Sequence, residues 1–150
     1  MKPVPLFKMM SEQIFLPVVP DCVQPMADNE LDKLSVLALA HVGDGVYELM
    51  VRTMLCAQGI GKVSDLHRKT VSYVCAPAQA GYIKKVMPML TEKEEQVYKR
   101  GRNSKMHAAP QKATVGEYHA ATGLETLFGY LYLKGQYNRI GELFRAMMEE

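Results

Sequence analysis

Cysteine is scarce and unpaired in this sequence: Cys22, Cys56 and Cys75 are the only three among 150 residues, and no two of them form a C-x-x-C pair. An odd count without that spacing excludes a closed disulfide framework, argues against a zinc site and suits a reducing compartment. Long apolar runs are missing as well. The N-terminal stretch holds apolar residues, but Pro3, Pro5, Pro17 and Pro20 interrupt it and no small-residue cleavage signature follows. That pattern predicts neither a signal peptide nor a membrane span, and hence a cytoplasmic protein. Charge of one sign is nearly balanced by the other: 18 Lys and Arg against 16 Asp and Glu leave a formal net charge of +2. The total therefore says little about partners, and the distribution of charge matters more. Alternating strand patterns and internal repeats are also absent.

What remains is an apolar, helix-periodic chain. At 48% hydrophobic content the 150 residues suit one domain with its own core, and leave little room for a second. Five of the eight prolines fall within the first 25 residues. Residues 1–29 are therefore expected to be an extended segment and 30–150 a single helical domain. A first long helix is expected over residues 32–58, stopped by Gly59 and Gly61. Ser64 is placed to cap a second helix carrying DLHRKTVSYV, and a third covers roughly 77–90. Thr91 and Glu94 have capping-box spacing, so a fourth helix runs to about Arg100. Residues 101–116, with Pro110 and two glycines, read as a loop. A fifth helix over 117–134 ends at Gly135, and a short amphipathic helix closes the chain. The fold class is all-α.

Acids stand out in the two most apolar helices. In LSVLALAHVGDGVYELMVRTML, residues 34–55, the helical period puts His41, Asp44, Glu48 and Arg52 on one narrow polar stripe. Gly43 and Gly45 flank Asp44, and each helix-interior glycine costs about 0.5–1 kcal/mol relative to alanine. Close approach of another backbone, a metal shell or a ligand would offset that. In the fifth helix Glu125 is the only carboxylate between Tyr118 and Leu133, with Ala121, Thr122, Phe128 and Gly129 one turn away. A carboxylate in such surroundings needs a cation or hydrogen bonds to compensate it. Two such acids meeting at a helix crossing could hold a hard divalent cation. Equally, Glu48 and Arg52 are four apart and can pair on a wet helix face that Asp44 shares. Spacing alone leaves both readings open.

The same residues resemble those of the ribonuclease III family, and most closely its Mini-ribonuclease III branch. HVGDGVYE at 41–48 is similar to the family's Gly-Asp-Ala-Val signature, and TGLETLFGYLYLKG at 122–135 to its second acidic helix. The smaller branch's patterns are matched in order by LALAHVGDGVYE, LHRKTVSYVCAPAQA, RGRN and ATGLETLFGYLYL, over residues 31–144. The resemblance implies the ribonuclease III endonuclease-type helical domain. It also implies a magnesium-dependent endoribonuclease acting on double-stranded RNA, with Asp44 and Glu125 as catalytic metal ligands. Two further acids of full-length ribonuclease III correspond to Ala40 and Thr122 here, a departure the smaller branch shares that leaves the number of metal ions open. Gly45 stands where alanine is usual. Further implications are a homodimer, with one acidic centre per subunit, and a precursor ribosomal RNA substrate, cut at the ends of the large-subunit (23S) RNA. Without a separate double-stranded-RNA-binding domain, the catalytic domain is expected to hold its substrate itself.

Between Gln96 and Gly116 lie Lys99, Arg100, Arg102, Lys105, Lys112 and His107, with no acid. A solvated charge run after a helix would look the same, because cations suit the C-terminal dipole. With the family resemblance, Arg100, Arg102, Asn103 and Lys105 become expected RNA contacts. A flexible basic loop can grip A-form RNA by shape. His67 and Arg68, next to Lys69, are the second expected group. His41 and His119 are read as structural or solvent-facing, and the methionines and tyrosines as core. The competing reading is a non-catalytic helical RNA-binding module associated with ribosome biogenesis, which would bind but not cleave. A histidine-aspartate phosphohydrolase is disfavoured, because two residues separate His41 from Asp44.

Overall fold

A computed structural model describes residues 23–104 and 112–150. Residues 1–22 of the expected N-terminal segment, and Lys105 and His107 within residues 105–111 of the expected loop, lie outside the described residues. The described residues form seven α-helices and no strand: α1 Asp28–Leu31, α2 Val36–Ala57, α3 Val63–Val74, α4 Ala76–Val86, α5 Glu92–Arg102, α6 Val115–Lys134 and α7 Tyr137–Met148. A single 3₁₀ turn, Met87–Met89, follows α4. The all-α expectation holds. No helix among the described residues is long and apolar enough to cross a membrane.

Local chemistry explains the ends. Ser35 caps α2 by accepting the Ala38 N–H at 3.0 Å, so this helix starts later than the apolar pattern suggests. Gly59, at φ +85°, ends it in the left-handed conformation that glycine adopts freely. The expected cap at Ser64 is not formed: α3 starts at Val63, behind Lys62, with no side-chain cap. The Thr91–Glu94 capping box is present, with both reciprocal bonds made. A second box joins Thr114 to Glu117, so α6 begins at Val115, two residues before its expected start. Helix α5 likewise continues through Arg102, which shortens the expected loop from its front end.

The centre of the molecule is the crossing of α2 and α6. Gly43 touches the backbone of Glu125 and Gly129, and Gly129 touches the backbone of Leu39, so closely that a Cβ on either glycine would overlap a carbonyl oxygen of the facing helix. This approach accounts for the helix-interior Gly43. Gly45 faces open space instead. Helices α4 and α5 flank α6, α3 lies along α2, and α7 closes over α4 and α6. Tyr47 is fully buried there, edge-on to Phe128 and Phe144 at 6.0 and 6.1 Å, and its hydroxyl donates to the Tyr73 carbonyl at 2.7 Å. On the rim, Tyr130 donates to Asp28 at 2.6 Å, and the Met26 N–H reaches the Leu133 carbonyl at 2.8 Å. Arg139 donates to both oxygens of buried Glu94 at 2.9 Å, tying α7 to α5. Helix α2 is not buried on every side: Leu37 and Leu49 remain 57% and 48% exposed.

Candidate active site

The Gly43–Gly129 crossing brings the two singled-out acids into electrostatic contact. Asp44 follows Gly43 on α2, and Glu125 lies one turn before Gly129 on α6. Burial and the Asp44 carboxylate beside it push the Glu125 carboxyl up to about 7, while a hydrogen bond from Gln79 pulls the other way. Asp44 reaches solvent, yet partial burial and the neighbouring Glu48 hold its carboxyl above the usual range against the opposing effect of His41. Carboxylates whose proton affinity is raised by burial and by a neighbouring acid, Asp44 beside Glu125 and Glu48 beside Asp44, form a site of concentrated negative potential that a cation relieves.

Gln79 is the residue that sequence reasoning passed over. It stands on α4 in line with buried Ile83 and Val86, itself only 2% exposed. Its Nε2 donates to the Val74 carbonyl at 2.7 Å and to Glu125 Oε1 at 3.3 Å. Its Oε1 is buried with no partner among the described residues. A signal did exist: a carboxamide one helical turn before an apolar pair is out of place on a core face.

Glu48 and Arg52 pair at 3.6 Å, as the i,i+4 spacing allowed. The expected RNA contacts fall into two separate groups. His67 is exposed and lines a groove of about 230 Å³ with Arg52, Cys56 and Thr70. Arg68 beside it pairs with Asp65 at 2.9 Å. At the end of α5, Arg100 stands 3.9 Å from Asp32. Arg102 lies over the Tyr98 ring, 5.7 Å from its centroid, and donates to Asn103 at 3.2 Å. These ion pairs are solvent-exposed, so each is worth about 0–1 kcal/mol and can be exchanged for a phosphate at little cost. Gly101 is pressed against Thr126 and Gly123, which fixes the end of α5 against the same helix that carries Glu125. His119 does not reach solvent with both nitrogens: its Nδ1 is buried without a partner among the described residues.

Among the described residues no group of three or more His, Cys, Asp or Glu side chains converges, and the candidate donors at the crossing are the Asp44 and Glu125 carboxylates. That set fits a hard divalent ion. Magnesium takes one or two carboxylates and completes its shell with water and phosphate oxygen. Gln79, whose Nε2 donates to Glu125, also has an Oε1 acceptor that no donor among the described residues uses.

An all-helical domain with a desolvated carboxylate pair at its central crossing has the layout of a phosphodiester-cleaving nuclease. The model of the Ribonuclease III domain matches residues 37–136. Proteins named Mini-ribonuclease 3 align over most of the chain. The one from Symbiobacterium thermophilum is 50% identical over 75% of this chain and 87% of its own length, and that from Enterococcus faecalis 47% identical over 77% and 89%. A crystal structure of a Fusobacterium nucleatum protein superposes with a TM-score of 0.69 at 31% identity, covering 76% of this chain and 91% of that one. The chain belongs to the ribonuclease III family, in its Mini-ribonuclease 3 group, and is an endoribonuclease. The reading as a non-catalytic RNA-binding module is thereby set aside.

Proposed function

We propose that this endoribonuclease cuts double-stranded RNA in a magnesium-dependent reaction, acts as a homodimer, and matures the ends of large-subunit (23S) precursor ribosomal RNA in the cytoplasm. The observation that carries the reading is the Asp44–Glu125 pair at the helix crossing: burial raises both carboxyls, Asp44 raises Glu125 further, and Glu48 does the same to Asp44. Asp44 and Glu125 are the catalytic metal ligands. When bound there, magnesium supplies Lewis-acid charge and a water of lowered pKa for phosphodiester hydrolysis. The glycine crossing of α2 and α6 fixes the backbone positions from which the two carboxylates extend. Arg100, Arg102, Asn103 and Lys105, together with His67 and Arg68, grip backbone phosphates of the A-form duplex.

For the homodimer the support is the exposed side of α2. Leu37 and Leu49 leave apolar surface on the helix that carries Asp44, in sequence before and after it. Gly43 lends no support to that interface, since its close approach lies inside the chain; Gly45 has open space above it. Two acidic centres related by a two-fold axis would match the pseudo-two-fold symmetry of an RNA duplex. The substrate and metal assignments are tested together. End-labelled duplex RNA carrying the 23S precursor ends, an unrelated long duplex and the separated strands are incubated with magnesium or with excess chelator. The expected result is cutting of both strands of the duplexes, with the precursor ends preferred, and none with chelator. Preference for the separated strands, or cutting that persists in chelator, contradicts the reading.

A further inference from the structure

Gln79 makes a contact that core packing does not require. Its side chain is 2% exposed, on a face it shares with Ile83 and Val86, where a leucine or methionine would fill the space without burying polar atoms. Instead the carboxamide spans two elements. One Nε2 hydrogen bonds the Val74 carbonyl at the end of α3 at 2.7 Å, and the same nitrogen reaches Glu125 Oε1 on α6 at 3.3 Å. The orientation of the amide follows from its partners. Both are acceptors, so turning the group over would set its oxygen against two oxygens. The oxygen is thereby left buried with no donor among the described residues. A carboxylate ligand that is itself hydrogen-bonded keeps a fixed orientation and binds its ion more tightly.

We propose that Gln79 is a positioning residue for the cation-binding pair: anchored on the Val74 carbonyl, its amide holds the Glu125 carboxylate in place. This rests on the reading of Asp44 and Glu125 as metal ligands. Glu125 has no other side-chain hydrogen bond among the described residues, so without Gln79 its carboxylate is free to turn away from Asp44. Gln79 touches no reacting atom in this scheme and acts only through Glu125.

The test uses Gln79→Met, which keeps the volume and removes the amide, with Glu125→Gln as reference. Manganese binding to the RNA-free protein is followed by electron paramagnetic resonance, and kcat and KM for duplex RNA are measured separately. Gln79→Met is expected to weaken manganese binding about 10- to 100-fold and to lower kcat by a similar factor, with KM unchanged. Glu125→Gln is expected to lose manganese binding altogether. If Glu125→Gln loses the ion while folded Gln79→Met binds it as wild type does, the positioning role is overturned and the metal site stands. If Glu125→Gln itself binds manganese normally, the metal site is wrong and the role of Gln79 falls with it. Should Gln79→Met not fold, the Gln79 side-chain NH₂ signals of the wild-type protein are followed by NMR as magnesium is added. A movement of those signals that is absent in Glu125→Gln is expected, and unmoved signals overturn the proposal.

Discussion

Glu125 has a carboxyl that titrates near neutral pH, because burial and the Asp44 carboxylate both oppose its charge. The sign of the resulting pH dependence follows directly. Between the ordinary value of 4.5 and about 7 the folded chain retains a proton that the unfolded chain has lost, so stability falls as pH rises through that window. Above it, the ionised acid costs the metal-free fold on the order of 3 kcal/mol, since each pH unit in the window is worth about 1.4 kcal/mol. Glu125→Gln removes that charge. The variant is expected to melt several degrees above wild type at about pH 8 and level with it near about pH 4. Magnesium should raise the melting temperature of the wild type at the higher pH and leave the variant unmoved. Equal melting of the two proteins across the whole range would show that Glu125 carries no such burden.

Helix α2 holds two glycines with opposite surroundings, and they should respond differently to a methyl group. Gly43→Ala drives a Cβ into the Glu125 carbonyl and must spread the α2–α6 crossing, at a cost of about 1–3 kcal/mol and with loss of most activity. Gly45→Ala meets nothing and gains about 0.5–1 kcal/mol of helix propensity. Chemical denaturation of both variants checks this, and an equal effect would mean that the crossing is not tight. At the end of α5, replacing Arg100 and Arg102 with alanine should reduce the slope of log affinity against log salt by about 1 for each phosphate no longer gripped. An unchanged slope would return RNA contact to His67, Arg68 and Lys69 alone. The element boundaries teach which signals a sequence carries. Thr91-Glu92-Lys93-Glu94 is legible as a box because a run free of proline and glycine, Glu95 to Arg100, follows it. Thr114-Val115-Gly116-Glu117 has the same spacing but sits behind Pro110 among glycines, where it reads as loop. Asp44 and Glu125 are legible as acids on apolar helices. The approach of Gly43 to Glu125 is not, because nothing local encodes which helix crosses which. Periodicity also reads every apolar position as buried, so the exposure of Leu37 and Leu49 emerges only from the packing.

At the scale of the whole molecule, the proposed dimer gives each strand of a duplex its own acidic centre. Leu37→Glu together with Leu49→Glu should convert the protein to monomer by light scattering and leave it unable to cut both strands. A wild-type protein that is monomeric and fully active at working concentration would contradict the dimer. The fold otherwise serves to hold two carboxylates in a partly dry crossing beside exposed cations at the end of α5 and along α3. Whether that pair does the chemistry is the central matter, and one measurement addresses it most directly. Single-turnover cleavage of labelled duplex RNA with saturating magnesium is compared for wild type, Asp44→Asn and Glu125→Gln, alongside RNA binding and melting temperature. Each variant should lose at least about a thousandfold in rate, roughly 4 kcal/mol of barrier, while remaining folded and binding duplex RNA with near wild-type affinity. Cleavage near the wild-type rate by either variant would contradict the assignment of the site.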